Sequence, residues 1–102
     1  MIIMTVENMD KPYEVLGLVR GSMIQSKHIG KDMMAGFKTI VGGELKSYTE
    51  MMEESREIAL KRMVDQAVML GADAVIAMRF TSSSVMQGAA EVTAYGTAVK
   101  FK

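Results

Sequence analysis

The sequence predicts an α+β fold: a small twisted, mainly antiparallel sheet of three to four strands, with one long and one short helix packed on one face. Three observations lead to this prediction. Apolar residues recur at helical spacing between residues 42 and 73. The flanking segments have the short apolar runs and alternation of strands. Their order is strand, strand, helices, strand, strand. With 102 residues, the chain forms one domain, 1–102.

The long helix has recognisable start and stop signals. Ser47 or Thr49 can serve as the N-cap, and Glu50 stands three residues after Ser47, as in a capping box. Gly71 follows Leu70, where a left-handed residue commonly ends a helix. We therefore predict that the helix ends at Leu70.

The apolar surface of this helix is wider than one sheet needs. One face carries Met52, Ala59, Met63, Ala67 and Leu70, and the opposite side carries Glu50, Glu53, Glu54, Glu57, Lys61 and Asp65. Near the end, Val64 and Val68, with Leu60 and Met69 beside them, extend the apolar surface onto the charged side. Either these are ordinary surface valines, or a neighbouring subunit covers them.

The other segments are predicted from local pattern. Residues 1–6 form an edge strand, and 13–24 form a long strand that is apolar on most of both faces, too apolar for its second face to meet water. Residues 29–40 form a short helix, weakened by glycine. Residues 72–80 form a buried strand, 81–88 a polar mobile loop and 89–102 the last strand. One face of that last strand carries only small residues and valine, which suits a closely packed helix.

If the last two strands pair as a hairpin, their charges predict an ion pair. The register that places Ala77 opposite Thr93 also places Arg79 opposite Glu91. The pair then lies either partly buried against a neighbouring subunit or exposed at the end of the hairpin.

Composition excludes several classes of function. The twelve basic and twelve acidic residues are interspersed, so we expect neither nucleic-acid nor anionic-membrane partners. No apolar run reaches the ~20 residues of a membrane span. Without cysteine there is no disulfide, thiolate nucleophile or thiolate metal site. The N-terminal residues lack the basic region of a secretory signal, and we expect a cytoplasmic protein.

Few residues are candidates for a site. His28 and Glu44 are the candidate metal ligands; one imidazole cannot form a metal site alone, but several copies around a ring axis could. Methionine thioethers suit soft ions, although Met51, Met52 and Met63 are needed for the core. Tyr48, Arg79 and Tyr95 either line a ligand pocket between subunits or serve packing alone. His28 has no evident catalytic partner, so we expect no enzyme.

Three runs of sequence carry a family resemblance: AGFKTIVGGELKSYTEMMEESREIALKRM, LGADAVIAMRF and AAEVTAYGTAVKF. Together they resemble the YbjQ-like family of small bacterial and archaeal proteins. The resemblance implies a dodecin-like subunit, assembly as a ring-shaped homopentamer and a family label of heavy-metal binding. It implies no established reaction.

The expected function is therefore that of a homo-oligomeric ring, most simply a pentamer, which binds a heavy-metal ion or a small molecule between subunits. The alternative is a structural or interaction ring with no ligand. The expected interface residues are Leu60, Val64, Val68, Arg79 and Glu91. The one candidate cofactor is a metal ion, and since the chain has no thiolates we expect no tight thiophilic site.

Overall fold

A computed structural model describes residues 1–26, 40–41, 44–86 and 88–102. The elements are β1 (Ile2–Ile3), β2 (Tyr13–Ser26), β3 (Ile40–Val41), β4 (Glu44–Leu45), α1 (Lys46–Met69), β5 (Ala74–Met86) and β6 (Ala89–Phe101). The α+β class is confirmed. The short helix predicted over 29–40 lies outside the described residues, except that its last residue, Ile40, begins β3.

The main sheet is mixed and mainly antiparallel. Its strand order is β1-β5-β6-β2. The β2–β6 and β5–β6 pairs are antiparallel, and β1 pairs in parallel with the start of β5. β3 and β4 form a separate two-stranded ladder. The predicted edge strand at the N-terminus is confirmed, although only two of its residues are in strand conformation.

The predicted loop over 81–88 is wrong. β5 continues to Met86 and β6 begins at Ala89, so the two strands form one long hairpin whose tight turn includes Gly88, with φ of 79°. Thr81 lies opposite Thr93, and Ser83 lies opposite Glu91. The ladder to β6 satisfies the backbone groups of this polar segment that face β6, so its exposed hydroxyl side chains do not prevent strand formation.

The predicted hairpin register is also wrong. Arg79 lies opposite Tyr95, and the ladder shifts between Ile76 and Arg79. Ala77 occupies this irregular step with φ of 52°. A bulge inserts an extra residue and changes which face the following side chains occupy. As a result Met78 reaches the same core as Val75, and Arg79 lies on the opposite face of the sheet.

The main core lies between α1 and the sheet. Its buried residues are Val19, Ala59, Met63, Ala67, Val75, Met78, Val92, Ala94 and Ala98. The prediction that the small-residue face of the last strand packs against the helix is confirmed. The helical face itself is shifted: Met51 and Ser55 are buried, whereas Leu70 is exposed. The Ser55 hydroxyl donates to the carbonyl oxygen of Met51 at 2.8 Å, so burial leaves it satisfied.

The two ends of α1 differ in how well the sequence predicts them. The helix begins at Lys46, so Ser47 and Thr49 lie inside its first turn and the predicted N-cap is wrong. The C-terminal prediction is confirmed, because Gly71 has φ of 78°. Its N–H donates to the Val68 carbonyl at 3.0 Å, and the N–H of Ala72 donates to the Ala67 carbonyl at 3.1 Å. These two bonds form a Schellman motif.

α1 lies directly over the edge strand β2. A Cβ atom added at Gly21 would lie 2.7 Å from the Cβ of Arg62, and still closer to the Ala59 carbonyl oxygen and the Met63 backbone nitrogen. Only glycine fits at this distance. Two helix side chains reach the free edge of the strand: Gln66 accepts from the Arg20 N–H at 2.7 Å, and Arg62 donates to the Ser22 carbonyl at 2.6 Å.

We expect Gly21→Ala to lower the free energy of unfolding by about 3 kcal/mol, because the helix backbone must move away from the sheet to admit a methyl group. Urea denaturation measures the change. Gly71→Ala is the control: nothing lies within 4 Å of its added Cβ, so only the left-handed backbone costs energy, about 1 kcal/mol. Equal losses in the two variants would show that α1 is not held close to β2 by contact at Gly21.

Candidate ligand-binding face

Among the described residues, the sheet face opposite α1, here called the outer face, is covered at one end only. Ala74, Ile76 and Val99 are buried there, and Met9, Tyr13 and Phe101 pack against them. The Tyr13 hydroxyl donates to the side-chain oxygen of Asn8 at 2.8 Å. The N-terminal segment therefore completes a second small core on this end of the outer face.

The rest of the outer face is open and partly apolar. Leu18 is 67% exposed, Ile24 is 59% exposed and Tyr95 is 39% exposed. Their strand neighbours Val19 and Ala94 are fully buried on the helix side, which follows from the alternation of side chains along a strand. Exposed apolar side chains gathered on one face are characteristic of an interaction surface.

A row of three side chains crosses the open part of the outer face. Arg20 on β2 lies opposite Tyr95 on β6, which lies opposite Arg79 on β5. We call these three residues the outer row. Since neighbouring strands are about 4.8 Å apart, the backbone positions of two arginines lie on either side of one tyrosine, across roughly 10 Å of the sheet.

The two arginines of the outer row differ in their partners. Arg79 is oriented by three acceptors: the carbonyl oxygens of Thr5 and Met78, at 3.0 and 2.9 Å, and the Glu7 carboxylate, at 3.0 Å. The predicted Arg79–Glu91 ion pair is therefore wrong, and Glu7 takes that place. The guanidinium of Arg20 makes no hydrogen bond within the described chain, so its donors are available to a ligand.

Hydroxyl groups form the next row along the sheet. Ser22 and Thr93 lie opposite each other and share a hydrogen bond of 2.8 Å between their side-chain oxygens, and Thr81 lies opposite Thr93 on the other side. The open outer face thus combines guanidinium and hydroxyl donors with one aromatic ring. This set of groups can hold an anion and stack on a planar group.

The predicted ligand residues are only partly brought together. Arg79 and Tyr95 are direct cross-strand partners, as a shared pocket requires. Tyr48 lies in the first turn of α1, on the other side of the sheet. Arg20 was missed by sequence reasoning, because its place beside Tyr95 depends on the register of β2 against β6. The alternation of polar and apolar residues in β2 was the available signal.

The structure does not describe the side chains of the predicted metal ligands, and it shows that the predicted interface residues differ in exposure. His28 lies outside the described residues, and the side chain of Glu44, at the start of β4, is not described. Within the described ranges, no group of three histidine, cysteine, aspartate or glutamate residues is placed to hold a metal ion. Of the predicted interface residues on α1, Leu60 and Val64 pack against the chain's own core, whereas Val68 is 59% exposed. Arg79 and Glu91 both lie on the outer face.

One shallow groove lies beside this face, in the N-terminal segment. It has a volume of about 240 Å³ and is lined by Met4, Val6, Asn8, Met9, Asp10 and Lys11. At this groove the ammonium group of Lys11 lies 4.0 Å from the centre of the Phe101 ring.

No helix among the described residues has both the length and the apolar character needed to cross a membrane.

We expect Arg79 and Glu7 to be coupled by at most about 1 kcal/mol, because both side chains are well exposed. A double-mutant cycle of Arg79→Met and Glu7→Gln, measured by urea denaturation, gives this coupling energy. The matched cycle of Arg79→Met with Glu91→Gln should give a coupling near zero. A larger coupling to Glu91 than to Glu7 would favour the register predicted from the sequence over the one described here.

Comparisons with known proteins agree on the family. A "UPF0145 protein" of Thermosipho africanus is 60% identical over all of this chain and 96% of its own length. One from Fervidobacterium nodosum is 67% identical over 87% of this chain and 82% of its own length. One from Vibrio campbellii is 60% identical over 85% of this chain and 84% of its own length.

A crystal structure shows the same fold. It is that of a protein of unknown function from Pediococcus pentosaceus, assigned to the DUF74 family, with a TM-score of 0.67 over 100% of this chain and 98% of that one. Its sequence identity is 16%. The profile of the YbjQ family, described as "Putative heavy-metal-binding", matches residues 1–102. The chain belongs to this family, alongside the UPF0145 proteins.

Proposed function

We propose that this chain is the subunit of a closed homopentameric ring that binds a small anionic molecule at the interfaces between its subunits. The observation that carries the proposal is the open half of the outer face, where the outer row lies between the exposed side chains of Leu18 and Ile24. The ring size of five subunits is taken from the family resemblance, and so is the dodecin-like character of the subunit. A cytoplasmic location belongs to the same proposal.

Shape supports self-assembly. The radius of gyration is 16.9 Å and the chain extends over 54 Å, whereas a compact chain of this length has a radius of gyration of about 13 Å. Apolar residues are exposed on two separate surfaces, the outer face and the end of α1 at Val68 and Met69. A head-to-tail ring buries two different surfaces of each subunit, and a two-fold dimer buries only one of them twice.

The chemistry of the outer row supports an anionic ligand. A guanidinium group presents up to five N–H donors and no acceptor, and Arg20 has its guanidinium donors unused within the described chain. Tyr95 offers the face of an aromatic ring beside it. Arginine donors hold an anion but accept no proton from it, so this row suits binding rather than acid–base catalysis.

A structural ring with no ligand is the second candidate. It is favoured by the Glu7 carboxylate, which already balances the charge of Arg79. Native mass spectrometry of the purified protein separates the two candidates, since it reports both ring mass and any bound small molecule. A ligand that is lost in Arg20→Gln while the ring mass persists supports binding. A ring that carries nothing, in the variant and the original alike, supports the structural role.

We expect Val68→Asp to dissociate the ring, because a carboxylate buried at an interface without a partner costs several kcal/mol. Sedimentation velocity at micromolar concentration measures the change in mass. Val68→Thr, which has nearly the same shape and no charge, is the matched control and should remain assembled. If the unaltered protein sediments as a stable monomer, the proposed ring is contradicted. If Val68→Asp still forms the ring, Val68 is an ordinary surface residue.

We expect only weak binding of Zn(II), Cu(I) and Cd(II), because the chain has no cysteine and Met51, Met63 and Met78 are buried in the core. Isothermal titration of the metal-free protein measures the affinity. A stoichiometric site of submicromolar affinity would contradict this expectation. It would show that heavy-metal binding, the property in the family's description, applies to this chain. Loss of that site in His28→Ala, but not in Met51→Leu, would then identify an imidazole ligand.

A further inference from the structure

We propose that Glu7 restricts the ligand of the outer row to a planar molecule with a single negative charge, and selects against dianions such as phosphate monoesters. The inference rests on the proposed binding of an anion at the outer row, and it names the class of that anion. It concerns the net charge of the row, which the ion pair of Glu7 with Arg79 lowers from two positive charges to one.

Arg79 and Glu7 form a neutral pair at one end of the outer row. The Nη2 group of Arg79 donates to Oε1 of Glu7 at 3.0 Å. Its Nη1 group donates to the carbonyl oxygens of Thr5 and Met78 at 3.0 and 2.9 Å, and so uses both of its hydrogens. Arg79 therefore helps to shape the site, but its positive charge is already balanced.

The position of Glu7 is fixed by its two neighbours in the chain. The carbonyl oxygen of Val6 accepts from the N–H of Ala77 at 2.7 Å. The side-chain oxygen of Asn8 accepts from the Tyr13 hydroxyl at 2.8 Å. A ligand that displaced the carboxylate from its guanidinium partner would leave it close by, because the chain on either side stays bonded to the sheet. The negative charge of Glu7 thus remains part of the site.

Arg20 supplies the positive charge that is left for a ligand. Its guanidinium makes no hydrogen bond within the described chain, and the residue lies opposite Tyr95. A carboxylate or a similar anionic group can accept two parallel hydrogen bonds from this guanidinium, while a planar group attached to it stacks on the Tyr95 ring. One such group on Arg20 brings the outer row to charge balance.

A second negative charge on the ligand would find no balancing charge in the next row. Ser22, Thr93 and Thr81 offer hydroxyl groups there, which carry no charge. Glu91, a further charged residue on this face, is itself negative. It lies four residues from Tyr95 along β6, about 13 Å away, which is farther than the ~8 Å over which salt screens a charge.

Desolvation makes this charge balance decisive at a site between subunits. The cost of removing an ion from water grows with the square of its charge, whereas its attraction to one net positive charge grows only in proportion to its charge. A covered site with one net positive charge therefore favours a monoanion over a dianion of the same shape.

Two probes of nearly equal shape test the inference. Phenyl sulfate carries one negative charge, and phenyl phosphate carries two at pH 8, since the second pKa of such a phosphate group is about 6. NMR titration of the assembled protein measures their affinities through the signals of the Tyr95 ring and the Arg20 side chain. We expect the unaltered protein to bind phenyl sulfate more tightly.

Glu7→Gln should shift this preference toward the dianion. The amide keeps the shape of the side chain and can still accept a hydrogen bond from Arg79, but it removes the negative charge. The ratio of the phenyl phosphate affinity to the phenyl sulfate affinity should rise on the order of fivefold. Glu91→Gln, which removes a carboxylate from the same sheet face, is the matched control and should leave this ratio unchanged.

The outcomes separate this inference from the proposed function. Tighter binding of phenyl phosphate by the unaltered protein, or an unchanged ratio in Glu7→Gln, overturns the role of Glu7 and leaves the anion site standing. If neither probe shifts the signals of the outer row, or if both bind equally well to Arg20→Gln, the anion site is overturned and this inference with it. If Glu7→Gln does not fold, the order of the two affinities in the unaltered protein decides.

Discussion

The close approach of α1 to β2 and β6 determines most of the other features of this molecule. It requires Gly21 on one strand and small residues such as Ala94 and Ala98 on the next. Because the helix axis lies so near the sheet edge, Arg62 and Gln66 can reach around it and bond to the backbone of β2. A larger residue at position 21 would therefore loosen the core and uncover an edge at the same time.

The parts of the fold that follow from local chemistry could be predicted from the sequence. Gly71 ends the helix as expected, since few other residues accept its backbone conformation, and the small-residue face of β6 identifies the helix contact. The hairpin register could not be predicted, because it depends on a bulge at Ala77, a residue with no preference for φ of 52°. Gly96 carried an indirect signal: an added Cβ there would lie 2.6 Å from Val75.

The same bulge explains how much of the candidate site could be predicted. The residue types of Arg79 and Tyr95 identify them as candidate ligand-binding residues. Their position opposite each other, and the ion pair of Arg79 with Glu7, depend on the register. Arg20 joins them through β2, whose pairing the sequence leaves open. The small, polar side chains of residues 81–88 predict a loop, but the ladder to β6, and not the side chains, decides the conformation of residues 81–86.

Arg79 marks the boundary between the surface that the chain completes itself and the surface it leaves open. Its guanidinium binds the Thr5 carbonyl and the Glu7 carboxylate, and so fixes the N-terminal segment against β5. Up to this point that segment supplies backbone partners to β5 and helps to cover the outer face. Beyond it, the described residues leave the outer face around Tyr95 uncovered. In the proposed ring, one neighbouring subunit placed beside Arg79 covers the outer row.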